Sequence, residues 1–85
     1  MQIEYETKAI KDLKAITSKA REQIIAKIVQ YAAAPESLAN NVKHLTNSPF
    51  HRLRIGDYRV IFSLDGEVAT IMTVIRVHHR SEAYD

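Results

Sequence analysis

An α+β fold in the order β-α-α-β-β-β, with a helical hairpin packed on one face of a small, mainly antiparallel sheet, is predicted from three observations. Apolar residues recur at helical spacing in two separate stretches of the first half. Three apolar runs rich in β-branched residues crowd the second half. Gly56-Asp57 and Asp65-Gly66 fall between those runs, where turn residues belong.

The elements follow in chain order. Ile3 and Tyr5 alternate with Gln2 and Glu4, the period of a short strand. Thr7 can cap a first helix over 7–16, in which Ala9, Ile10, Leu13 and Ile16 form an apolar stripe and Lys8, Lys11, Asp12 and Lys14 fall on the wet side. Thr17-Ser18 interrupts it and offers a hydroxyl cap for a second helix over 19–34, where Ile24, Ile25, Ile28, Val29 and Ala32 recur. Pro35 ends that helix. The Asn- and Ser-rich stretch 35–49 reads as an irregular connection anchored by Leu38, Val42 and Leu45. Strands are expected over 50–55, 58–64 and 68–77. The last is apolar on both parities up to Arg76 and should be a central strand covered on both faces.

At 85 residues the chain is expected to be a single domain, burying about 60% of its unfolded surface and only modestly stable. It has no cysteine, so neither a disulfide framework nor a thiolate metal site is available. No window approaches the length of apolar sequence that spans a bilayer, and Met1-Gln2-Ile3-Glu4-Tyr5 is unlike a signal peptide, so a cytoplasmic protein with no membrane partner is expected. A net charge of +2 says little by itself. Its chemistry is uneven, because five of six lysines lie in residues 1–42, whereas five of six arginines and all four histidines lie in 43–85. Lysine is a solvated point charge; arginine presents a planar fork that matches phosphate oxygens. The second half is where an anion would bind.

Within it, Arg52 and Arg54 are two residues apart on a strand and share one face. Two such arginines can also be edge-strand charges that resist unwanted pairing. Arg59 on the next strand, and Arg76, His78, His79 and Arg80 at the end of the last one, favour anion binding instead. Metal ligation by His78 and His79 is disfavoured, since no third ligand stands at the usual spacing. Asp57 and Glu82 are the acids placed to neutralise an arginine. Paired carboxylates, a nucleophilic serine motif and a glycine-rich phosphate loop are all absent, which excludes most common enzyme classes. One reaction remains compatible with arginines, imidazoles, a terminal phenol (Tyr84) and no cofactor: RNA cleavage by the substrate's own 2′-hydroxyl. It needs alignment, stabilisation of added negative charge and proton transfer.

The segments G-D-Y-R-V-I-F, at 56–62, and H-R-S-E-A-Y, at 79–84, together with the element order, resemble the RelE/ParE superfamily of bacterial type II toxins. The resemblance implies a RelE-like, microbial RNase-like fold and neutralisation by a cognate antitoxin. In the RelE branch it implies metal-independent, ribosome-dependent cleavage of mRNA in the A site, with the ribosome and mRNA as further partners and with operator DNA bound through the antitoxin. By position, Arg52 and Arg54 match the branch's paired basic residues, and Arg59 its arginine after the tyrosine of the G-Y-R segment. Tyr84 matches its C-terminal tyrosine, implicated in positioning or activating the 2′-hydroxyl. Arg80 is the first choice for the remaining catalytic arginine, with His78 or Arg76 as substitutes. His78 is thus a catalytic candidate, and Arg76 and His79 are RNA-binding candidates. Two other readings share the fold: a ParE-like inhibitor of DNA gyrase, and a non-catalytic homologue that binds antitoxin and modulates operon repression.

Overall fold

The structure, a computed structural model, describes residues 1–82. Its elements are β1 (Gln2–Tyr5), α1 (Thr7–Lys14), α2 (Ser18–Ala33), a 3-10 turn (Pro35–Asn41), β2 (Val42–His44), β3 (Phe50–Ile55), β4 (Tyr58–Asp65) and β5 (Ile71–His79). The sheet order is β1-β5-β4-β3-β2. β1 runs parallel to β5, and every other neighbouring pair is antiparallel. Among the described residues no helix is long and apolar enough to cross a membrane.

Both helices bury most of their apolar stripes against one face of this sheet, but Ile10 and Val29, expected in those stripes, are exposed, at 41% and 50%. Ala9 and Leu13 of α1 and Ile24, Ile28, Tyr31 and Ala32 of α2 join Leu53, Val60, Phe62, Met72, Val74 and Val77 in one buried cluster. Tyr31 and Phe62 meet at 5.2 Å between ring centres, tilted by 59°, a favourable edge-to-face arrangement. Thr17 caps α2 as its sequence suggests, its hydroxyl accepting from Ala20 N at 3.2 Å. Thr7 does not cap α1: it is the first helical residue, and Glu6 holds the cap position without a side-chain bond. α1 ends at Lys14, short of Ile16, because Arg21 reaches back from α2. Its guanidinium donates to Leu13 O at 2.8 Å and Ile16 O at 3.1 Å, satisfying carbonyls at the end of α1.

The sheet departs from the sequence expectation in three places. Residues 42–44, expected in an irregular connection, form the edge strand β2, held by antiparallel pairing to β3 from Val42↔Leu53 to His44↔His51. Three residues are too few to show a period, so only the partner strand reveals them. Leu38 and Val42 pack against the core as expected, whereas Leu45 is outside it. The last strand begins at Ile71 rather than Val68, which is 79% exposed in a loop where Gly66 and Ala69 both take positive φ. β5 does lie inside the sheet, but it is covered on one face only. Met72, Val74 and Val77 are buried under the helices, and Ile71, Thr73 and Ile75 are half-buried on the other side.

A bulge sets the end of β5. Ile61 pairs with Arg76 but Phe62 pairs with Val74, so Ile75 is an extra residue. β1 stops short of this point: Tyr5 pairs with Val74, and Glu6 N–H donates to Val74 O at 2.9 Å. Past that bond the Val77 N–H would be unpaired. The Asp12 carboxylate of α1 accepts it at 2.9 Å, standing in for the missing strand.

Candidate nucleic-acid interface

The sheet face opposite the helices collects the cations, and strand alternation explains how. Directly opposed residues project on the same side. Arg54 stands opposite Arg59, and Arg59 opposite His78, giving a row across β3, β4 and β5. One step along, Lys43 stands opposite Arg52 across β2 and β3. Leu53, Val60 and Val77 alternate with these residues and point into the core. The apolar requirement of the core therefore fixes the arginines outward.

A concavity of ≈ 230 Å³ is lined by Asn40, Asn41, Val42, Lys43, Arg52, Arg54 and Arg59. Sequence reasoning missed its wall of Asn40, Asn41 and Lys43. One signal was available, because Lys43 is the single lysine of the arginine-rich half. Asn41 is steadied by a long bond from its amide to Arg54 O at 3.4 Å. A larger concavity of ≈ 530 Å³ lies on the helix side, between α2 and the β3–β4 turn. Its lining is mainly apolar, with Ile24, Ile55 and Tyr58, and its one cation, Lys27, is offset by Asp57, which makes it a poor anion site.

Arg59 is the centre of the cationic face. Its Nη1 donates to Gly56 O at 2.9 Å and Tyr58 O at 3.0 Å, which pins the guanidinium over the hairpin turn. Partial burial, then the charges of Arg52, Arg54 and Arg80, lower its pKa from the ordinary arginine value, against a smaller opposing effect of Asp57. It remains a cation at any physiological pH. The crowding means that an anion bound here relieves repulsion as well as gaining attraction.

Arg80 joins from the chain end. Its N–H donates to Asp57 O at 2.7 Å, and its Nε lies 3.6 Å from Asp57 Oδ1. Both side chains are about two-thirds exposed, at 67% and 65%, so water screens this pair and leaves Arg80 free to exchange partners. Arg52, Arg54, Arg59, Arg80 and His78 are thus brought together.

Two of the expected residues point elsewhere. The Arg76 fork is committed to Asp12, with Nε at 2.8 Å from one oxygen and Nη2 at 3.1 Å from the other. The pairing raises the Arg76 pKa and gives that residue a structural role at the β5 edge. His79 lies on the helix side, because neighbours on a strand face opposite ways. Its ring meets Tyr58 edge-on at 5.4 Å, and its Nδ1 is 2.9 Å from Ser81 Oγ. Glu82 bonds the His79 N–H at 3.1 Å and pairs with no arginine among the described residues. Tyr84 lies outside the described residues.

A family model of the ParE toxin of type II toxin–antitoxin systems matches residues 3–84. The chain belongs to this family. Within the wider RelE/ParE superfamily its likeness runs to the RelE branch. It is 25% identical over 83 residues to the mRNA interferase toxin RelE of Escherichia coli K12, covering 96% of this chain and 87% of that protein. Its fold matches that in the archaeal RelE–RelB complex from Pyrococcus horikoshii with a TM-score of 0.76 at 19% identity, covering 96% of this chain and 97% of that one. The RelB–RelE antitoxin–toxin complex from Methanococcus jannaschii gives 0.74 at 23% identity, with 96% and 95% covered. The two structural likenesses show the same overall fold.

Proposed function

We propose that this toxin-family chain is an endoribonuclease that cleaves mRNA in the ribosomal A site, without a metal cofactor, and so arrests translation in the cytoplasm. The observation that carries the reading is the convergence of Arg52, Arg54, Arg59 and Arg80 on one open sheet face beside a polar cleft. The name of the E. coli relative, an mRNA interferase, supports it.

In the proposed reaction the ribose 2′-oxygen attacks the adjacent phosphorus, the bond from phosphorus to the 5′-oxygen breaks, and a 2′,3′-cyclic phosphate and a 5′-hydroxyl result. RNA supplies the nucleophile, so the protein needs to align it, hold the charge that builds on the non-bridging oxygens, and move two protons. Arg59 is assigned to the scissile phosphate because its guanidinium is already fixed by two backbone carbonyls and incurs little reorganisation. Arg80 supplies a second, movable cation. Arg52 and Arg54, with Lys43, hold the flanking backbone. His78, opposite Arg59, and Tyr84 are the proton-transfer candidates, Tyr84 through the family resemblance alone. A cognate antitoxin is the expected inhibitor: a segment that covers the cationic face would block RNA, and operator DNA would be bound through that partner.

The test is mapping of mRNA ends on programmed ribosomes. Cleavage in the A site is expected, and Arg59→Ala should slow it by about 10²–10³-fold. Tyr84→Phe should also lose cleavage while keeping the wild-type melting curve. Intact mRNA in cells whose growth the chain still arrests would refute the reading. The family model's description as a ParE toxin favours one rival, a gyrase inhibitor; loss of supercoiling activity in a purified gyrase assay would select it.

A further inference from the structure

His44 and His51 lie apart from the cationic face and belong to none of the chemistry above. They stand directly opposite each other on β2 and β3, on the helix side of the sheet. Leu45 N–H bonds to Phe50 O at 3.0 Å, so the His44–His51 position falls between hydrogen-bonded pairs, where opposed side chains approach most closely. The two ring centres are 4.9 Å apart, with planes inclined by 56°. His51 is further fixed by stacking on Phe62, at 5.3 Å and 21°. Neither imidazole has a hydrogen-bonding partner among the described residues, in contrast to His79, whose Nδ1 is engaged by Ser81.

We propose that His44 and His51 form a two-nitrogen clamp for a divalent transition metal of the zinc and copper class. The separation of the rings allows a shared ion. With metal–nitrogen bonds of about 2.1 Å and roughly 1.1 Å from ring nitrogen to ring centre, imidazoles sharing a metal at about 90–110° have centres about 4.6–5.3 Å apart. The observed 4.9 Å lies inside that interval.

No third His, Asp or Glu joins the pair in a metal-holding group among the described residues; His78 and His79 lack one too, but as neighbours on a strand they face opposite sides of the sheet, whereas His44 and His51 share one face. Water would complete the coordination, and entry is open because His44 is exposed. Imidazole selects zinc, copper and nickel over magnesium and calcium, which prefer oxygen. A bound ion would pin the end of the three-residue strand β2, whose Lys43 forms a wall of the arginine cleft on the other face.

The experiment is calorimetric titration of the full, untagged chain with Zn²⁺, with Mg²⁺ as control, alongside thermal melts with Zn²⁺ or chelator. One Zn²⁺ per chain and a melting temperature raised by Zn²⁺ are expected, with no response to Mg²⁺. His44→Asn should weaken Zn²⁺ by more than about tenfold, the scale on which even outer partners of a metal count. That variant removes an exposed side chain and keeps the fold, so it decides the matter even if His51→Asn disturbs the Phe62 stack. The double variant His78→Asn, His79→Asn should bind as wild type does. Zn²⁺ binding that survives His44→Asn, that depends on His78 and His79 instead, or that is absent from the wild type, would overturn the proposal.

Discussion

Replacing Asp12 by alanine should destabilise the fold through the end of β5. The carboxylate does two things at once: it accepts the Val77 N–H at 2.9 Å and holds the Arg76 fork at 2.8 and 3.1 Å. Val77 is only 5% exposed, so its orphaned N–H should cost about 1–3 kcal/mol. The ion pair adds less. The Arg76 side chain is 38% exposed and water screens it, so about 0–1 kcal/mol is its share. The sum, about 1–4 kcal/mol, should lower the melting temperature by about 4–30 °C for a chain this size. Asp12→Asn keeps an acceptor for Val77 and should lose only about 1 kcal/mol. Burial alone would raise the Asp12 carboxyl, but bonds from Arg76 and the Val77 N–H, with the charges of Arg76 and His78, outweigh it and leave the pKa below 3.8. The contribution is therefore fully present above pH about 4 and fades as pH falls through the folded value. Urea unfolding at pH 7 and again in acid, followed by circular dichroism, measures both effects. Asp12→Ala within about 0.5 kcal/mol of wild type at pH 7 would refute the reasoning, since surface substitutions without structural consequence fall in that range.

Two further substitutions follow from the same geometry. Gly66→Ala should cost more than Gly56→Ala in urea unfolding: both glycines have positive φ, at +93° and +57°, but a β-carbon at Gly66 would strike the Thr70 hydroxyl while one at Gly56 meets open space. About 1 kcal/mol is expected at Gly56 and about 2 or more at Gly66; equal losses would remove the steric argument. Lys43→Ala should weaken binding of an uncleavable RNA strand and reduce the slope of log affinity against log salt by about 0.7, the share of one phosphate contact on a single strand.

Arg52, Arg54 and Arg59 were legible in the sequence because strand alternation is a local rule. Leu53 and Val60 must go inward, and the arginines beside them go outward wherever the strands pair. The Thr17 cap and the Pro35 stop were legible for the same reason, each depending on a few neighbouring residues. β2 was not, since three residues become a strand only when β3 lies alongside. Val68 misled in the other direction: an apolar side chain next to the last strand turned out to be loop, because Gly66 and Ala69 carry the chain through a positive-φ turn first.

The fates of the basic residues on β5 divide sequence from structure most clearly. The amino-acid order by itself determined that a helical hairpin would cover one face of the sheet and that arginines would line the other, because burial and strand period act over a few residues. Only the tertiary structure decided which cations remain free there. Arg76 is taken by Asp12, 64 residues away, and His79 turns to Tyr58 on the helix side. His78 stays beside Arg59. Those destinations depend on the Ile75 bulge and on where β1 stops, and both are set by contacts between segments distant in the chain.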